Sequence, residues 1–154
     1  MKPQTHILFV CLGNICRSPM AEYIMRHKIQ QADLNHQIVT DSAGTSGWHD
    51  GEDMHKGTKQ QLAKHNIDNS GFVSRKVQKQ DWEKFDYIIA MDNQNLKDLE
   101  KLFGKEPNRL FNITSLCHNL AYDHIPDPWY TDNFDETYQL LDQCCEVLLQ
   151  RVKG

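Results

Sequence analysis

An apolar run from His6 to Val10 leads without a break into Cys11-Leu12-Gly13-Asn14-Ile15-Cys16-Arg17-Ser18-Pro19. A short run of this kind, ended by a turn, reads as a strand buried on both faces. Ser18 before Pro19 is a helix-start signal, with a hydroxyl at the N-cap and proline at the first helical position. Good helix formers then continue to about Gln31. A strand that turns through so few residues into a helix belongs to an α/β layer architecture, and the rest of the chain keeps the alternation. Ile38 to Ala43 reads as a second strand, Gly44 to Gly51 as a glycine-rich loop, and Lys56 to His65 as a helix. Asp86 to Met91 is a third strand, with a helix after it marked by Leu96, Leu99, Leu102 and Phe103. Arg109 to Ile113 is a fourth, with a short helix beyond, and Asn119 to Asn133 is a polar loop. Tyr138, Leu141, Cys145, Leu148, Leu149 and Val152 lie on one stripe of a C-terminal helix. The expectation is a single α/β domain over residues 1–154, with a small four-stranded parallel sheet flanked by helices. Ligands of such sheets bind beyond the carboxyl ends of the strands, and the first strand ends at Cys11.

Composition narrows the function. Seventeen Lys and Arg against 21 Asp and Glu give a net charge of −4. No basic stripe offers a footprint for nucleic acid, so none is expected as a partner. The mean hydropathy of −0.67 and the shortness of every apolar run argue against a membrane span, and the chain reads as a cytoplasmic monomer. The five cysteines are an odd number, which suits free thiols better than a disulfide framework. No two short-spaced Cys or His pairs form a ligand set, so no metal and no cofactor are expected. Cys117, Cys144 and Cys145 read as buried thiols.

The spacing Cys11-x5-Arg17-Ser18 has a physical meaning between a strand and a helix. A loop curling into a helix N-terminus aims several backbone N–H groups at one point, beside the positive end of the helix dipole. A thiol at the base of such a nest is stabilised as thiolate, the nucleophilic form. Arg17 supplies a planar fork for two oxygens of a phosphoryl group. Leu12, Gly13, Asn14, Ile15, Cys16 and Ser18 complete the candidate phosphate-binding loop. Gly13 suits a positive φ or a close approach, and Asn14 suits a bond across the loop or a left-handed turn. Ser18 caps the helix, and its hydroxyl also steadies the thiolate as a leaving group. Given the counts of Cys, Arg and Ser, chance matches to this pattern number about 0.006 per chain of this composition. Neither a G-x4-G-K-[ST] nor a G-x-G-x-x-G sequence occurs.

The stretch Val10 to Pro19 resembles the signature of the low-molecular-weight protein tyrosine phosphatases. Asp127-Pro128-Trp129-Tyr130 is similar to the acid loop of that family. Asp41 to Trp48 resembles its second strand and aromatic specificity loop, and Phe85 to Asp92 its third strand. The resemblance implies Cys11 as nucleophile, Arg17 as phosphate clamp and Asp127 as general acid, with Asn14, Ser18 and Ser42 in a polar network behind the loop. It implies tyrosine-phosphorylated proteins as substrates, inorganic phosphate as product and no cofactor. Three positions depart from the pattern. Phe72 stands near where many relatives have a network histidine, Trp129 replaces a common tyrosine, and Met54-His55-Lys56-Gly57 lacks the Asp-x-Arg often found there.

On the residues alone, Asp123, His124, Asp132 and Asp135 rival Asp127 as proton donor, and the resemblance selects Asp127. Trp48, Trp129 and Tyr130 are expected to wall the pocket around an aromatic side chain. Two other readings are a thioredoxin-linked arsenate reductase and a non-catalytic phosphate-binding module. The first needs relay cysteines in mid-chain, and residues 70 to 95 contain none. The second needs neither Cys11 nor Asp127. Cys16, in the same tight loop, is a candidate resolving thiol for an oxidised Cys11, or a small packing residue.

Overall fold

The computed structural model describes residues 4–153. Four strands, β1 (Thr5–Cys11), β2 (Ile38–Gly44), β3 (Tyr87–Ala90) and β4 (Leu110–Asn112), form one sheet in the order β2-β1-β3-β4. All pairs are parallel, as the alternation of strands and helices requires. The central strand β1 is apolar without alternation because both of its faces are covered. Ile7, Phe9 and Cys11 face a core shared with α1 (Arg17–Gln31), α2 (Lys56–Lys64) and α6 (Phe134–Val152). Leu8 and Val10 face the opposite core, with Phe85, Ile88, Leu99 and Leu110, under α3 (Asp81–Lys84) and α4 (Asn93–Phe103). Chain order reverses around β1, with β2 on one side and β3 on the other, so the crevice of the sheet opens at Cys11.

Several boundaries differ from expectation. α1 begins at Arg17 with Cys16 at its N-cap and no side-chain cap, so Ser18 is not the capping residue. Its hydroxyl is drawn inward by polar partners described below. The apolar stripe expected of α1 is instead a helix buried nearly all round from Arg17 to Met25, because α2, α6 and β2 all pack on it. β4 stops at Asn112, whose side chain accepts from Thr114 N and starts a 3₁₀ turn, Ile113–Leu116. The polar loop holds a further short helix, α5 (Pro128–Thr131), capped by Asp127. Cys144 and Cys145 are fully buried on α6, and Cys117 is partly buried against the same core. Among the described residues, no helix is long and apolar enough to cross a membrane.

Candidate active site

The loop from Cys11 to Arg17 is held from outside by its carbonyls. Cys11 O accepts from Thr45 N at 2.9 Å, and Leu12 O accepts from Ser46 N and Oγ, both at 3.0 Å. Asn14 O accepts from Ser74 Oγ at 2.7 Å, Ile15 O from His55 N at 2.8 Å, and Cys16 O from Thr58 Oγ1 at 3.1 Å. With the carbonyls turned outward, the amides turn in. Among the described residues, no backbone N–H from Leu12 to Ser18 has a protein acceptor. Leu12, Gly13, Ile15, Cys16 and Arg17 line a pocket with Cys11, and amides left without protein acceptors there are suited to an anion.

Two residues make so tight a path possible. Asn14 carries the left-handed conformation at φ 57°, whereas Gly13 does not adopt positive φ. Gly13 is there for space, since a Cβ would come within 3.1 Å of the His49 ring. Gly44, paired with Cys11 across the sheet, lets the loop close on β2, because a Cβ there would meet Leu12 O at 2.8 Å.

Behind the loop, Asn14 Nδ2 donates to Ser18 Oγ at 2.9 Å and to Ser42 Oγ at 3.0 Å. Ser18 Oγ lies 3.0 Å from Cys11 Sγ. Ser42 Oγ donates to Glu22 Oε1 at 2.7 Å. Burial pushes the Glu22 carboxyl up to about 7, against the opposing pull of the Ser42 hydrogen bond and of Arg26. Phe72 is outside this network and packs edge-on against Tyr23, 6.1 Å between centroids.

Arg17 is buried and fixed at one end. Its Nη1 donates to Asp92 Oδ2 at 2.8 Å and to Ile125 O at 2.9 Å. Its Nη2 lies 3.5 Å from Asp127 Oδ2, while Nε is buried without a partner among the described residues. Asp127 Oδ1 accepts from Trp129 N at 3.0 Å, so one carboxylate oxygen starts α5 and the other faces the guanidinium.

The pocket has a volume of about 160 Å³ and is lined by Cys11, Leu12, Gly13, Ile15, Cys16 and Arg17 below. Trp48, His49, Asp127, Trp129 and Tyr130 stand above them. This is room for one side chain rather than for a drug-sized ligand. Asn14, Ser18 and Ser42 lie behind the loop and not on the pocket wall. The Cys16 thiol is held neutral, pushed up to about 12 first by burial and then by the charge of Cys11. The rival acids are elsewhere: Asp123 pairs with His124 at the surface, Asp135 with Lys64, and Asp132 ends α5 at φ 57°. His49 was not legible as a pocket residue. Its ring lies over Gly13 and 6.0 Å from Trp129, with Nδ1 3.1 Å from Glu52.

A nest of amides and a buried guanidinium are suited to hold an anion, and a sulfur lies beneath the place where that anion would sit. This is the arrangement of a cysteine-dependent phosphatase on an α/β fold. Comparison with known proteins makes the class specific. Residues 6–154 match the family model for low molecular weight phosphotyrosine protein phosphatase, and the chain belongs to that family. It is 43% identical over 148 residues to the low molecular weight protein-tyrosine-phosphatase YfkJ of Bacillus subtilis, covering 96% of this chain and 95% of that one. The crystal structure of YfkJ superposes with a TM-score of 0.95 over 99% of this chain and 96% of that chain, at 41% identity. The enzyme PtpA of Staphylococcus aureus, also named a low molecular weight protein-tyrosine-phosphatase, is 39% identical over 146 residues, 95% of this chain and 92% of its own. A structure described as a Drosophila arginine phosphatase has a TM-score of 0.86 and 33% identity, covering 96% of this chain and 98% of that one.

Proposed function

We propose that this enzyme hydrolyses phosphotyrosine in proteins, and simple aryl phosphates, by two displacements at phosphorus. In the first, the Cys11 thiolate attacks in line. The P–S bond forms as the P–O bond to the phenol breaks, and Asp127 gives its proton to the departing oxygen. The inward amides and the free Nε of Arg17 hold the phosphoryl oxygens and stabilise their charge. In the second, Asp127, now ionised, takes a proton from water as that water attacks the cysteinyl phosphate. The P–S bond breaks, inorganic phosphate leaves, and the thiolate accepts the returning electron pair with Ser18 Oγ beside it. Trp48, Trp129 and Tyr130 flank the aromatic ring of the substrate.

The observation that carries this reading is the inverted loop, with every anchored carbonyl turned outward and Cys11 beneath the free amides. The membership of Asp127 in the pocket supports its role as donor. The test is a comparison of initial rates on one peptide bearing phosphotyrosine, phosphoserine or phosphoarginine, with mass spectrometry of the acid-quenched enzyme. The expected result is preference for phosphotyrosine and a phosphoryl adduct on Cys11. Preference for phosphoarginine, or an adduct on another residue, would overturn the reading.

A further inference from the structure

Asn14 is the pivot of the loop, and among the described residues its carbonyl has one donor, the buried hydroxyl of Ser74 at 2.7 Å. Ser74 is only 2% exposed, and each of its polar groups is used. Its N–H donates to Glu52 O at 2.8 Å and its carbonyl accepts from Gly51 N at 2.9 Å. The next residue continues the strap, with Arg75 N donating to Asn14 Oδ1 at 3.0 Å and Arg75 O accepting from Gly44 N at 2.8 Å. Residues 74 and 75 therefore hold both oxygens of Asn14.

The direction of the hydrogen bonds at the nucleophile follows from that grip. With Oδ1 occupied by Arg75 N, the amide of Asn14 must present its NH₂ to Ser18 and Ser42. Ser18 Oγ thus already accepts a hydrogen bond, and its own hydrogen has two destinations, Cys11 Sγ at 3.0 Å or Ala43 O at 3.5 Å. The nearer is the sulfur, and an O–H donated to a thiolate is a charge-assisted bond. Holding Asn14 left-handed also costs energy that a buried anchor offsets.

We propose that Ser74 is a positioning residue for the reaction. Through the Asn14 carbonyl it fixes the loop so that Ser18 donates to Cys11. The proposal rests on Cys11 being the nucleophile, and its test is read partly without turnover. In Ser74→Ala, kcat on a phosphotyrosine peptide is expected to fall by about 5–30-fold with KM nearly unchanged. Alkylation of Cys11 by iodoacetate in mildly acidic buffer is expected to slow by a similar factor, and Ser74→Thr to recover both. Thermal unfolding establishes that each variant is folded at the assay temperature, and Ser74→Cys, close in size with a weaker donor, replaces the alanine variant if that one is not. Unchanged kcat and unchanged alkylation in a folded variant would reduce Ser74 to packing. Slower alkylation in a protein that never turns over phosphotyrosine would keep this role and defeat the proposed function instead.

Discussion

On the floor of the pocket, the carbonyls of Cys11, Leu12, Asn14, Ile15 and Cys16 are each held by a protein donor, and Cys11, Asn14 and Arg17 are buried. At the rim, Trp48, Trp129 and Tyr130 are 74%, 55% and 78% exposed, and the Asp127 carboxylate is held by one backbone N–H and a 3.5 Å contact with Arg17. The floor is over-determined and the rim is not. Transition-state charge needs donors that do not reorganise, which is what an over-determined floor provides. Choosing a substrate and passing a proton to it need apolar surface and one carboxyl within reach. Floor substitutions should therefore act on chemistry for every substrate, and rim substitutions on particular leaving groups or side chains.

The largest expected effect is on the floor. Cys11→Ser should abolish turnover of every phosphate ester while the folded loop still binds inorganic phosphate, measured by calorimetry. Residual turnover would mean that the floor only binds and that the nucleophile lies elsewhere. Next, Asp127→Ala should lower kcat by about 10²–10⁴ for aryl phosphates with basic leaving groups, and far less for those that leave as stable anions. An equal loss for both would break the comparison, since Asp127 would then matter as the cap of α5 rather than as a proton donor.

The third prediction sharpens the account of the floor through stability. The folded protein retains the Glu22 proton up to about 7, whereas the unfolded chain releases it near 4.5. In that window the folded state binds more protons, so this group's contribution falls as pH rises and is fully lost above about pH 7. Glu22→Gln should remove that slope, and the gap between variant and wild type, followed by urea unfolding, should shift by a few kcal/mol across the window. A gap that does not change with pH would show that Glu22 is ionised throughout. The smallest effect is expected at the rim. Trp48→Ala should raise KM for phosphotyrosine peptides by about 2–10-fold, from lost ring contact of roughly 0.5–1.5 kcal/mol, and leave small alkyl phosphates unaffected. Equal effects on both would make Trp48 a loop anchor.

Two of the Xaa-Pro steps show how far a local helix-start rule reaches. Ser18-Pro19 reads as a helix start, whereas Asp127-Pro128, with the same pattern of a capping side chain before proline, reads only as part of a polar loop. At Asp127 the local rule holds, because the rim is exposed and nothing competes for the carboxylate oxygen that accepts from Trp129 N. At Ser18 it fails, because Cys11, Asn14 and Ala43 from two other segments surround the hydroxyl and the helix starts earlier. The same limit hid His49 and Ser74. Each lies in a loop without periodicity, and each matters only because chain distant in sequence folds against the nest.

The sequence by itself determined the strand–loop–helix unit, the parallel sheet and the Cys11–Arg17 pair, because these rest on periodicity and spacing within a few residues. The tertiary structure alone decided what holds Arg17, how both oxygens of Asn14 are anchored and which way Ser18 points. Those are matters of hydrogen-bond satisfaction among residues up to 110 positions apart, and a buried polar group takes the partner that packing brings to it.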